Sequence, residues 1–99
     1  MANYPTDEEL DRITTWPLGK WLDLAKYVQS LWWMPGWGCV IDLSDMTMEL
    51  HTGGWSGNES IIQALQEHKV FWAMCWKVHE RGGHYYFDSI VNFGHEDSK

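Results

Sequence analysis

Cations are scarce in this sequence. Seven Lys and Arg stand against 14 Asp and Glu, a formal net charge of −7. Broad binding to a nucleic-acid polymer needs a positive surface that displaces counterions. An anionic membrane surface needs basic clusters. Both classes of partner are therefore excluded at the level of expectation. A small anionic ligand is not, because a pocket needs only a few local donors. Cysteine is also sparse: Cys39 and Cys75 are the only two, and no CxxC is present. That excludes a Cys-rich zinc centre. The longest apolar run, "LWWMPGWGCVI", is broken by Pro35 and glycines and is too short to span a bilayer. The opening "MANYPTDEEL" is polar and acidic, unlike a secretion signal. These features predict a cytoplasmic protein with reduced thiols. Neither GxGxxG nor a Walker loop occurs, and no cofactor is implied.

Aromatic residues are abundant. Eight tryptophans sit in a chain that is 44% hydrophobic. Each aromatic side chain buries roughly 150–250 Å², so a core can form without disulfide or metal. The length of 99 residues fits one domain, with residues 1–5 and 94–99 expected to fray.

The chain reads as a succession of capped and alternating segments. Thr6 and Glu9 have capping-box spacing and open a helix over about 7–15. Pro17 suits the first turn of a second helix, with Leu18, Trp21, Leu22, Ala25, Val28 and Trp32 on one face. "MPGWG" stops it. Cys39 to Leu43 and Met46 to His51 alternate as a hairpin around Ser44-Asp45. A short helix then carries Ile61, Ile62, Ala64 and Leu65. In the last part, Val70, Trp72, Met74, Trp76 and Val78 share a face by period two. "RGG" at 81–83 marks a tight turn into a final strand from His84 to about Phe93. A Gly82-Gly83 loop pairs Val78 with Phe87 and Lys77 with Asp88; an Arg81-Gly82 loop keeps the same faces. The expected order is α-α-β-β-α-β-β. The expected fold class is α+β, a four-stranded, mainly antiparallel sheet packed against helices.

Three stretches carry candidate chemistry. "TGGWSGNE" follows a strand and opens a helix. Ser56 and Glu59 have capping-box spacing, and Gly53 and Gly54 suit a turn. The same loop exposes N–H groups that can meet an anion, so Gly53, Gly54, Trp55, Ser56, Gly57 and Asn58 are either turn residues or ligand contacts. "HERGGH" is not HExxH: five residues separate His79 from His84 and a glycine turn intervenes. On a hairpin those two histidines share a face, but no third metal ligand is indicated, and no metal site is expected. Lys77, His79, Arg81, His84, Tyr86 and Asp88 form the polar sheet face, either solvated or a ligand site. Cys75 falls on that face near Lys77 and Asp88, where a thiolate is conceivable. Trp16, Trp21, Trp32, Trp72 and Trp76 read as core. Trp33 and Trp37 fall outside the stripe and suit a partner or a second subunit.

"LHTGGWSGNESIIQAL" followed by "FWAMCWKVHERGGHYYFD" resembles a family of short proteins of tailed phages and prophages. The shared signature is TGGWSGNE, a short helix, a tryptophan-rich strand and RGGHYYF. It spans residues 50–88 or so, and no catalytic residues carry over from it. The resemblance implies a phage origin and action in the cytoplasm of the infected bacterium. In that context the leading expectation is a non-enzymatic counter-defence protein, a sponge for a small nucleotide-like anionic signal. Trp55 and Tyr86 would stack on the base. The 53–58 loop, Lys77, His79, Arg81 and His84 would meet the charge, and a homo-oligomer could complete the pocket. The alternative is an interaction module that inhibits a host enzyme; a small enzyme using His79 or Cys75 comes third.

Overall fold

Thr6 Oγ1 accepts the Glu9 N–H (3.1 Å) and Glu9 Oε1 accepts the Thr6 N–H (2.8 Å). This reciprocal cap starts helix α1 (Asp7–Thr14). The computed structural model describes residues 4–93. Of the ends expected to fray, residues 1–3 and 94–99 lie outside the described residues. Tyr4 packs its ring 4.9 Å from that of Trp55.

Helix α2 (Trp21–Leu31) starts later than Pro17 suggests. Pro17 leads into a turn and Leu18 stays exposed. The cap comes instead from the far end of the chain. Asn92 Oδ1 accepts from the Leu22 and Asp23 N–H groups (3.0 and 3.1 Å), and Asn92 Nδ2 donates to Asp23 Oδ1 (3.0 Å). Two orphan donors of the first turn are thereby satisfied. Trp21, Leu24, Ala25 and Val28 form the buried stripe of α2. Met34 then turns the chain in the left-handed region (φ 58°), and Pro35 opens a short helix α3 (Pro35–Gly38).

Strands β1 (Cys39–Asp42) and β2 (Thr47–His51) form the expected first hairpin, with Cys39 opposite Leu50 and Ile41 opposite Met48. Helix α4 (Ser56–Glu67) follows and buries Ile61, Ile62, Ala64 and Leu65. Its N-cap is Trp55, which supplies no side-chain bond, so the Ser56–Glu59 capping box does not form.

The segment expected as one long strand divides in two. Helix α5 (Lys69–Cys75) precedes strand β3 (Trp76–Glu80). Apolar residues crowd every position here, so period two and period 3.6 both fit. The core selects the helical pair Phe71 and Cys75, while Val70 and Met74 stay exposed. His68 caps α5: its Nδ1 accepts the Phe71 N–H (3.2 Å), and its Nε2 lies 2.9 Å from the Trp16 carbonyl oxygen. The partners place the His68 proton on Nε2. Trp72 is partly buried and Trp76 is exposed, stacked on Trp72 rather than sunk in the core.

Strand β4 (His84–Phe87) ends six residues short of Phe93. The β3–β4 loop holds three residues, Arg81, Gly82 and Gly83, so that Glu80 faces His84, His79 faces Tyr85 and Val78 faces Tyr86. Both two-residue loops would have given the opposite parity, so the faces of Val78, His79 and Glu80 exchange, while β4 keeps its expected faces. Trp76 faces Phe87, so β3 spends two steps where β4 spends one. Lys77 is the extra residue of this bulge and has no Asp88 partner across the sheet.

The sheet is four-stranded and antiparallel, in the order β1-β2-β4-β3. The class is α+β as expected, and the element order holds once α3 and α5 are inserted. One face packs Cys39, Met48, Leu50 and Phe87 against Trp21, Leu24, Leu65 and Phe71 of the helices. Full burial of each such side chain contributes about 1.5–3 kcal/mol. Among the described residues, no helix is long and apolar enough to cross a membrane.

One polar side chain lies wholly inside this arrangement. Asn58 is 0% exposed. Its Oδ1 accepts the Trp33 N–H (2.9 Å), and its Nδ2 contacts the carbonyl oxygens of Trp33 and Thr52 (3.3 Å each). Asn58→Ala is expected to cost about 2–3 kcal/mol, because buried backbone groups lose their partners. Asn58→Asp should not rescue it, since the amide donors are gone and a charge is buried. Urea denaturation of both variants checks this; a wild-type midpoint for either contradicts it.

Candidate functional site

Thr52 follows β2, and Gly83 precedes β4. The Thr52 N–H donates to the Gly83 carbonyl oxygen (2.9 Å). A Cβ on Gly83 would collide with Thr52 Oγ1. Gly53 and Gly54 (φ +63° and +76°) and Gly82 and Gly83 (φ +90° and +81°) are all left-handed, which glycine alone adopts at little cost. The two glycine turns therefore sit edge to edge. The 53–54 turn is tied down further: Trp55 N–H donates to the Thr52 carbonyl (3.1 Å), and Gly54 N–H reaches Thr52 Oγ1 (3.4 Å).

The register aligns the outer sheet face beside this junction. His51 faces His84, and Glu49 faces Tyr86. The imidazoles meet Nδ1 to Nδ1 at 2.6 Å. His51 Nε2 lies 3.4 Å from Glu49 Oε1. Tyr86 OH donates to Glu80 Oε1 (3.2 Å). Partial burial, the Glu80 hydrogen bond and the charges of Glu80 and Glu49 raise the Tyr86 phenol above its ordinary value, so it remains a protonated donor. Trp37, 54% exposed, leans over this group: its ring lies 6.3 Å from that of His51 and would meet a Cβ on Gly53 at 3.1 Å. The result is an open row of aromatic and imidazole rings beside two backbone turns.

The expected site residues divide. Gly53, Gly54, His84 and Tyr86 come together at the junction. Arg81 is exposed in the turn that Gly83 completes, and Lys77 is exposed in the β3 bulge. His79 lies on the opposite face from His84, stacked on Tyr85 at 4.0 Å and 10°. The shared His79–His84 face is thus overturned by the three-residue loop. Trp55 turns away from the junction: its ring packs between Tyr4 (4.9 Å) and Trp33 (5.4 Å). It also lies over Gly57, where a Cβ would come within 2.5 Å of the indole. Ser56 Oγ donates to Tyr4 OH (3.3 Å). Asn58 is committed inside. His51, Thr52, Glu49 and Glu80 join the site without having been expected there, and Trp37, expected to meet a partner or a second subunit, lies over it. The alternation of "TMELH" does place Glu49 and His51 on one face; only the cross-strand register identifies their partners.

Cys75 sits in the core, not on the polar face. Burial and then the charge of Asp88 push its thiol up to about 12. Burial alone pushes Cys39 up to about 12. Neither is a ready thiolate nucleophile. Among the described residues, no group of three or more His, Cys, Asp or Glu is arranged to hold a metal ion. Two clefts open elsewhere. One of ≈ 370 Å³ between α1 and α4 is lined by Asp7, Asp11 and Glu67. One of ≈ 530 Å³ runs beside the β1 edge at Gln29, Pro35 and Gly36.

Comparison with protein-family models, curated proteins and solved structures finds no match to this chain.

Two measurements test this geometry. Gly54→Ala adds backbone strain in open space, whereas Gly83→Ala adds strain and a collision with Thr52. Gly54→Ala should cost about 1 kcal/mol and Gly83→Ala about 2–3 kcal/mol by urea denaturation; equal costs would place the turns apart. The raised thiols predict alkaline destabilisation. Folding keeps both thiols protonated, so their stabilisation is complete below the unfolded value of 9.0 and lost as pH rises towards about 12. The Tm should fall across that window, and less steeply in Cys75→Ala; a flat profile in both proteins contradicts the assignment.

Proposed function

We propose that this chain is a non-enzymatic binding protein for a small, nucleotide-like anion. Its ligand lies on the outer sheet face where the two glycine turns meet. The observation that carries the reading is the Thr52–Gly83 bond, which brings Trp37, His51, His84 and Tyr86 to one side of both turns. A base stacks on Trp37, in the role the sequence suggested for Trp55. An aromatic face serves any base and contributes about 1–3 kcal/mol. Tyr86 and the imidazoles supply polar contacts. Arg81 and the turn N–H groups meet the phosphate. Glu49 and Glu80 border the same face, which disfavours a long polyanion and suits a ligand with hydroxyl or amino donors. The resemblance to phage proteins supports the wider role: sequestering a nucleotide-derived signal of bacterial defence in the infected cytoplasm, with a second copy able to cover the open face.

A second reading has one observation in its favour. Trp33, Met34, Trp37, Val40 and Leu43 are all exposed within one stretch of chain, as an interaction module that inhibits a host enzyme would require.

Purified protein incubated with extract from infected cells, then heat-denatured, separates the readings by mass spectrometry of what is released. An intact nucleotide is expected. A chemically altered product, or no nucleotide with a co-purifying host protein, contradicts the proposal. With the released nucleotide as titrant, Trp37→Ala and Arg81→Ala should each weaken binding by roughly tenfold. Their Tm should stay within about 2 °C of the parent, as both side chains are exposed.

A further inference from the structure

The imidazoles of His51 and His84 cross from β2 to β4 beside the Thr52–Gly83 bond, with facing Nδ1 atoms 2.6 Å apart. Two nitrogens at that distance need one proton between them. Glu49 decides where it comes from. Its Oε1 lies 3.4 Å from His51 Nε2 and can only accept, which favours the tautomer with the His51 proton on Nε2. His51 Nδ1 is then a bare acceptor, and His84 must donate from its own Nδ1. His84 Nε2 is left without a proton. It lies beside the turn, 3.2 Å from where a Cβ on Gly82 would stand.

The two added protons then have opposite effects. A proton on His84 Nε2 turns that ring into an imidazolium and leaves the Nδ1–H···Nδ1 bridge intact. A further proton on His51 Nδ1 sets two N–H groups and two positive charges face to face. The surroundings act in known directions. Glu49 on β2 and Glu80 on β3, opposite His84, favour positive charge; Arg81 in the adjoining turn opposes it. Tyr86 on β4 stays neutral, and α3 brings only Trp37, which does not titrate.

We propose that the His51–His84 pair is a clasp that tolerates one added proton and opens at the second, freeing the two glycine turns from each other. Acidification then separates the turns while leaving the helical core folded. The clasp is a property of the ligand-free chain, so its failure would leave the ligand reading standing, and the reverse holds.

The test uses the full chain labelled with nitrogen-15, without ligand, from about pH 8 to about pH 4.5, the range over which histidines titrate. Long-range imidazole spectra report the tautomers, and hydrogen exchange of the Thr52 amide, corrected for intrinsic rate, reports the junction. At the alkaline end His51 should be the Nε2–H tautomer and His84 the Nδ1–H tautomer. With one ring of the pair charged, Thr52 protection should be retained. Protection should then fall about tenfold as the second ring charges, while the Leu65 amide stays protected. His84→Gln should abolish that acid-dependent loss, since an amide either donates or accepts; His51→Gln should do the same and serves if the first variant does not fold. An Nδ1–H tautomer for His51, or Thr52 protection unchanged with both rings charged, overturns the proposal.

Discussion

Thr52 is the residue on which the rest of the arrangement depends. It is 1% exposed, and every polar group it owns is used. Its N–H holds the Gly83 carbonyl, its carbonyl takes Trp55 N–H and Asn58 Nδ2, and its hydroxyl sits against Gly54 N–H and Gly83. An unpaired buried group of this kind costs about 1–3 kcal/mol. The end of β2, the start of α4 and the β3–β4 turn are therefore not independent. Moving any one strands a polar group in a site from which water is excluded.

That constraint explains the composition of "HTGGWSGNES". Gly53 gives way to Trp37, Gly57 to Trp55, and Gly54 completes the turn. Asn58 carries the tie onward to Trp33. Most of the stretch is thus occupied with internal geometry, and the surface it helps to build is made largely by other residues. His51, His84, Tyr86 and Trp37 face solvent because strand register and the Met34 turn put them there.

Local signals were legible and non-local ones were not. The Thr6–Glu9 cap, the 39–51 hairpin and the apolar face of α4 follow from residues a few positions apart. The α+β class follows from their order. Helix α5 has no distinct period in the sequence, because "VFWAMCW" is apolar throughout and only the buried niche for Phe71 and Cys75 selects the helix. The α2 cap leaves no local signal, because its acceptor, Asn92, lies 70 residues from Leu22. The site was half legible. His84, Tyr86 and the glycines are legible in the sequence, but one extra loop residue exchanges the faces of Val78, His79 and Glu80 and removes His79 from the group. A period-two element turns a register change of one into a complete exchange of faces.

Everything at the site thus rests on the three-residue turn and the junction it makes with Thr52. Cross-strand proton contacts from nuclear Overhauser spectra of the full chain test it directly. Contacts pairing Glu80 with His84 and Val78 with Tyr86 are expected, together with contacts between the Gly83 α-protons and the Thr52 side chain. Contacts pairing Val78 with Phe87, with none between Gly83 and Thr52, would contradict it.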